Sequence, residues 1–142
     1  MNKELTITTS IEIIADKAKV WDALTNPEKI KIYLFGTETL TSWKTGSEII
    51  FQGEYQGHQY KDKGTILDIK TNEFLQYTYW SGFSGLEDKP ENYSVVTYKL
   101  DTADNKTLLT LTQAGFANKE AQQHSQTNWT NVLQQIKQLT EE

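Results

Sequence analysis

The sequence predicts an α+β domain in which a long C-terminal helix lies across a curved antiparallel sheet of six to seven strands, with two short helices after strand one. Three observations carry that expectation. Trp129, Val132, Leu133, Ile136 and Leu139 recur at i, i+3, i+4, i+7 and i+10, the apolar stripe of one amphipathic helix. Between Gly36 and Leu100 the chain breaks into short runs rich in Ile, Thr, Val, Tyr and Phe, separated by turn residues. Ahead of them, a strand-like alternation is followed by two helix caps.

From Leu5 to Ile13 the odd positions read Leu5, Ile7, Thr9, Ile11 and Ile13 while most even ones are polar, the period-two pattern of a half-buried strand. Asp16 can cap a short helix whose Val20, Ala23 and Leu24 share a face. Asn26-Pro27 supplies a second cap with proline at the first helical position. Strands follow near 37–43, 48–55, 59–69, 73–80 and 92–100. Gln56-Gly57 marks a tight hairpin and Lys70-Thr71-Asn72 a weaker turn.

The segment 81–92, with Gly82, Gly85, Pro90 and four charged residues, reads as a long exposed loop; its Phe83 and Leu86 suggest a rim over a pocket. Residues 106–114 form another strand with Thr107, Leu109 and Leu111 on one face, entered through the polar loop 101–105. Asn118 can cap the last helix, which runs to about Thr140. Burying its large side chains is worth roughly 1.5–3 kcal/mol each before entropy is subtracted, more than helix propensity supplies. On that basis Trp129→Ala is expected to cost about 3–5 kcal/mol.

Composition narrows the function classes. With 142 residues, 37% hydrophobic and 23% charged, the chain has the balance of one globular domain and none of the bias of disorder. A net charge of −5 argues against a nucleic-acid surface; the only basic cluster, Lys61 to Lys63, is interrupted by Asp62. The absence of cysteine excludes disulfides, thiolate metal sites and cysteine nucleophiles. No apolar run approaches the roughly 20 residues of a membrane span and the N-terminus has no signal-peptide core, so no membrane insertion and a cytoplasmic location are expected.

Catalytic and metal motifs are missing. The two histidines, His58 and His124, belong to no i, i+4 pair or His-x-His, and no calcium-loop or phosphate-cradling pattern occurs. No metal, no cofactor and no catalytic residue is assigned. What stands out is aromatic content on the expected strands and last helix. A face that only needed filling could use Leu, Ile and Val, whereas a buried tyrosine hydroxyl must find a partner and can orient a ligand. The candidate cavity residues are Phe51, Tyr55, Tyr77, Tyr79, Trp80, Tyr98, Trp129 and Leu133. They would enclose a space between the last helix and strands 48–55, 73–80 and 92–100.

The element order, with Ile-Glu-Ile-Ile-Ala-Asp-Lys-Ala-Lys-Val-Trp-Asp-Ala-Leu-Thr-Asn-Pro-Glu-Lys-Ile at 11–30, Leu-Gln-Tyr-Thr-Tyr-Trp at 75–80, and Trp129 with Val132-Leu133, resembles the helix-grip fold of the START-like superfamily. Within it the chain is similar to the family named after the activator of the Hsp90 ATPase. The resemblance covers nearly the whole chain. It departs from the family pattern at Lys70-Thr71, where a proline is common, and at Asn128, where a glycine often precedes the tryptophan. It implies that Trp21 is a packing residue and that the strand ending in an aromatic pair lines an internal cavity. Superfamily ligands include lipids, sterols, polyketides and plant hormones.

Three readings follow. The first is a module binding a small apolar or amphipathic molecule. The second is a co-chaperone or other protein-interaction module. Because the chain lacks the separate N-terminal portion such activators use, stimulation of an Hsp90-type ATPase is not expected. The third is a cavity enzyme of cyclase or hydrolase type using Glu54, Tyr55, His58 or Tyr77. Either a monomer or a homodimer is compatible with the sequence.

Overall fold

The structure, a computed structural model, describes residues 1–141. Strand β1 (Asn2–Ile13) leads into helices α1 (Lys17–Thr25) and α2 (Pro27–Tyr33). Strands β2 (Glu38–Leu40), β3 (Glu48–Tyr55), β4 (His58–Lys70), β5 (Phe74–Tyr79), β6 (Ser94–Ala103) and β7 (Lys106–Phe116) precede helix α3 (Lys119–Glu141). They form one antiparallel sheet in the order β1-β7-β6-β5-β4-β3-β2. This is the α+β, helix-grip architecture that the sequence predicts.

The helix starts are those expected. Asp16 accepts the Lys19 N–H at 2.9 Å, Asn26 the Glu28 N–H at 3.1 Å, and Asn118 the Ala121 N–H at 2.8 Å, each satisfying a donor that the first turn leaves free. At the β3–β4 hairpin, Gln56 and Gly57 both take positive φ, 50° and 81°, matching the right-handed twist of the strands they join.

Three elements differ from expectation. The strand near 37–43 contracts to Glu38–Leu40, because Trp43 takes a φ of 57° and Ser47 ties back to Lys44, turning the chain away. The loop at 101–105 shrinks to a two-residue turn in which Asp104 and Asn105 reach φ of 47° and 66°, a conformation these side chains tolerate. The segment 81–92 folds into two short 3-10 turns: the first lays Phe83 on Tyr60 of β4 at 5.7 Å, and the second lies on the sheet's outer side. There Trp80 stacks on Tyr93 and donates to the Leu86 carbonyl at 3.2 Å, while Lys63 bonds Asp88 at 2.6 Å.

The sheet coils sharply at β4–β5. Leu67 is an extra residue between the pairs Ile66–Tyr77 and Asp68–Gln76, a bulge that increases local twist. Gly64 lets the strands close up just beyond: a Cβ there would stand 1.6 Å from the Thr78 carbonyl oxygen. The inward face then holds Ile66, Leu75, Leu100, Leu109 and Leu111 under Val132, Leu133 and Ile136 of α3, while Val20 and Leu24 of α1 fill one end. At the other end α3 does not meet the sheet fully, and space remains.

Candidate functional site

That space is a partly enclosed cavity of about 280 Å³ between α3, the α2–β2 connection and the inward faces of β3 to β7. Phe51, Val96 and Val132 give it apolar wall; Thr37, Asp62, Tyr79, Gln113 and Ser125 give it polar atoms. At its mouth Phe35, 77% exposed, sits at a φ of 55° between α2 and β2.

Asp62 is the unusual member. Inward alternation along β4 places Tyr60, Asp62, Gly64 and Ile66 on the concave face, and Asp62 is only 8% exposed. Its Oδ2 accepts the Tyr79 hydroxyl at 2.7 Å, whereas its Oδ1 is buried without a partner. Burial, and then the negative charge of Asp62, push the Tyr79 phenol well above its ordinary range, so it remains a donor at neutral pH. Burial likewise raises Tyr77, with a hydrogen bond to Tyr98 acting in the opposite direction.

A second polar group is Gln113 of β7. Its Oε1 accepts both the Trp129 indole N–H at 2.8 Å and the Ser125 hydroxyl at 2.9 Å; its Nε2 donates to Ser94 Oγ at 2.9 Å. Since an indole N–H can only donate, the amide orientation is fixed. Gln113 thus ties α3 to the sheet where the cavity begins. Thr37 gives its proton to the Leu34 carbonyl at 2.7 Å, and so accepts from Tyr60, 2.5 Å away. Tyr60 can lie there because residue 53 is glycine: a Cβ at Gly53 would stand 2.7 Å from the Tyr60 hydroxyl oxygen.

The residues singled out by sequence divide into three groups. Phe51, Tyr77, Tyr79 and Trp129 line the cavity. Tyr98 and Leu133 are buried deeper: Tyr98 meets Trp129 edge-on at 5.9 Å, and Leu133 is core. Tyr55 and Trp80 lie away from it. Tyr55 is 61% exposed because the β3–β4 tip projects past α3; Trp80, next to inward Tyr79, must face outward.

Glu54 and His58 are exposed at the same tip, and His124 is exposed on α3, so the proposed acid–base set never assembles around the cavity. Among the described residues no three His, Cys, Asp or Glu groups could hold a metal ion, and no helix is long and apolar enough to cross a membrane. The sequence reading missed Asp62 and Gln113, although extending the alternation from Ile66 and from Leu111 reaches both.

The sequence model of the family described as Activator of Hsp90 ATPase homolog 1-like protein matches residues 15–141. No curated protein matches the chain. A solution structure of a protein from Cytophaga hutchinsonii is similar at 41% identity and a TM-score of 0.85, covering 99% of this chain and 97% of that one. A crystal structure from Mesorhizobium loti shares the fold at 23% identity, TM-score 0.77, covering 94% and 95%. So does the Aha1 dimer of Colwellia psychrerythraea at 19% identity, TM-score 0.75, covering 96% of each chain. The chain belongs to the activator of Hsp90 ATPase homolog 1-like family.

Proposed function

We propose that this family member binds a small amphipathic molecule in the cavity between α3 and the sheet. The observation that carries the reading is the composition of the cavity wall. Aromatic and aliphatic side chains surround a few fixed polar groups, and one of those, Asp62 Oδ1, is buried without a partner in the protein. Binding sites for small molecules combine such apolar walls with sparse polar anchors. A space kept only for packing gains nothing from a buried oxygen that no donor satisfies, which costs about 1–3 kcal/mol.

The volume suits a modest ligand. An engineered apolar cavity of about 150 Å³ accommodates benzene, so one of about 280 Å³ suits a molecule with one or two rings or a short chain rather than a long lipid. Native mass spectrometry of protein purified from its source tests the reading, and a co-purifying small molecule lost on denaturation is the expected result. A protein that carries nothing, and whose melting temperature no member of a small-molecule library raises, would overturn it.

A further inference from the structure

We infer that the ligand is an organic amine with an apolar body, its ammonium group held by Asp62; this rests on the cavity-binding reading above. Asp62 is the one Asp, Glu, Lys, Arg or His among the residues that line the cavity. Its strand neighbours cannot neutralise it from within. Lys61 is exposed, and Lys63 points to the outer side, where it bonds Asp88 at 2.6 Å. The wall therefore offers a single unpaired carboxylate, and an occupant that only accepts hydrogen bonds would meet an oxygen and a charge it cannot satisfy.

The remaining hydrogen-bonding groups sharpen the choice. Tyr79 has already committed its proton to Oδ2 at 2.7 Å. Gln113 Oε1 already accepts two bonds and its Nε2 is donated to Ser94. Asn128 lies exposed at the edge of the cavity, whereas the buried polar atom of the wall that lacks a partner is an acceptor, Oδ1, and what completes it is an N–H or O–H donor. A cation does so with a charge-assisted bond, roughly twice as strong as a neutral one. Aromatic rings of Phe51, Tyr79 and Trp129 share the same wall, surroundings that also favour an ammonium over a carboxylate.

The test compares three molecules of one shape, 2-phenylethylamine, 2-phenylethanol and 3-phenylpropionate, titrated at neutral pH. Affinity is followed by calorimetry and the site by the Trp129 indole N–H resonance. The amine is expected to bind about tenfold or more tightly than the alcohol, corresponding to about 1.4 kcal/mol, and the carboxylate not to saturate. Asp62→Asn is expected to remove the tenfold preference of amine over alcohol. Equal binding of the three, or an amine preference that survives Asp62→Asn, would overturn the inference and leave cavity binding standing. Binding that leaves the Trp129 resonance unmoved would place the amine elsewhere and also overturn the inference. No binding by any of the three would overturn the amine inference, while the cavity reading stands or falls by co-purification and the library.

Discussion

Asp62→Asn should make the ligand-free protein more stable. The substitution keeps the shape of the side chain and its bond from Tyr79, now to a neutral amide oxygen, but removes a charge that is 8% exposed and half satisfied. Leaving a buried charged acceptor unmade costs about 1–3 kcal/mol, and the amide NH2 that replaces Oδ1 is itself unpaired but neutral, so the net gain is about 1–2 kcal/mol. For a domain of 142 residues that raises the melting temperature by about 3–6 °C. Urea and thermal unfolding of the purified variant measure it. Tyr79→Phe supplies the opposite control, since it orphans the second carboxylate oxygen and should destabilise by about 1.5–3 kcal/mol. A midpoint that falls for Asp62→Asn at unchanged m-value would refute the reasoning, because it would mean that Oδ1 is satisfied in solution.

Gly64→Ala should fail to give the native sheet, since its Cβ would lie 1.6 Å from the Thr78 carbonyl, a backbone atom that cannot swing aside; the loss of native circular dichroism or a cost above about 4 kcal/mol checks it. Trp129→Phe should cost about 1 kcal/mol for the lost bond to Gln113, whose Oε1 keeps the Ser125 hydroxyl, and Trp129→Ala about 2–3 kcal/mol in urea unfolding. That is below the 3–5 kcal/mol expected of a fully buried tryptophan, because Trp129 is only partly buried. In alkali, burial holds the phenols of Tyr33, Tyr77, Tyr79 and Tyr98 above their ordinary value, and burial followed by the bond to Asp88 lifts Tyr93 to about 12. Raised folded-state values contribute stability that is complete below the unfolded value near 10 and is lost as pH rises beyond it. The phenolate absorbance of these five tyrosines should therefore appear together with unfolding above about pH 10, and their reversible ionisation in the folded protein near that value would contradict it.

The fold was legible wherever its cause is local. Asp16, Asn26 and Asn118 cap helices because a short side-chain oxygen reaches a backbone N–H two or three residues on, and Gln56-Gly57 turns because both residues accept positive φ. The turn at Asp104-Asn105 was hidden because polar residues there do glycine's work. The site is less legible because aromatic type and strand alternation point to different residues. Tyr79 and Trp80 are adjacent in one strand and cannot both face a cavity, and Tyr55 has the inward parity of Phe51 yet lies where no helix covers the sheet. How far a helix extends over a strand is a tertiary fact that strand periodicity does not carry.

The concave face is not uniform, and its asymmetry is the strongest reason to read the cavity as a site. Toward α1 the inward positions are dominated by apolar side chains, Ile13, Ile66, Leu75, Leu100 and Leu109, and polar Thr107 gives its hydroxyl proton to the Ala15 carbonyl at 2.8 Å. Toward the cavity, β4 turns in Asp62, β6 begins with Ser94 and β7 ends its run with Gln113, while α3 changes from Val132, Leu133 and Ile136 to Ser125 and Trp129. Four separate elements thus break the core pattern at one place. Each break alone costs stability that a leucine or methionine would not. Gln113 recovers its cost by joining Ser94, Ser125 and Trp129; Asp62 Oδ1 recovers nothing from the protein. Violations of core patterning that are uncompensated within the fold are those expected of functional sites, and here the missing compensation is one hydrogen-bond donor, in a space large enough for a small molecule to bring it.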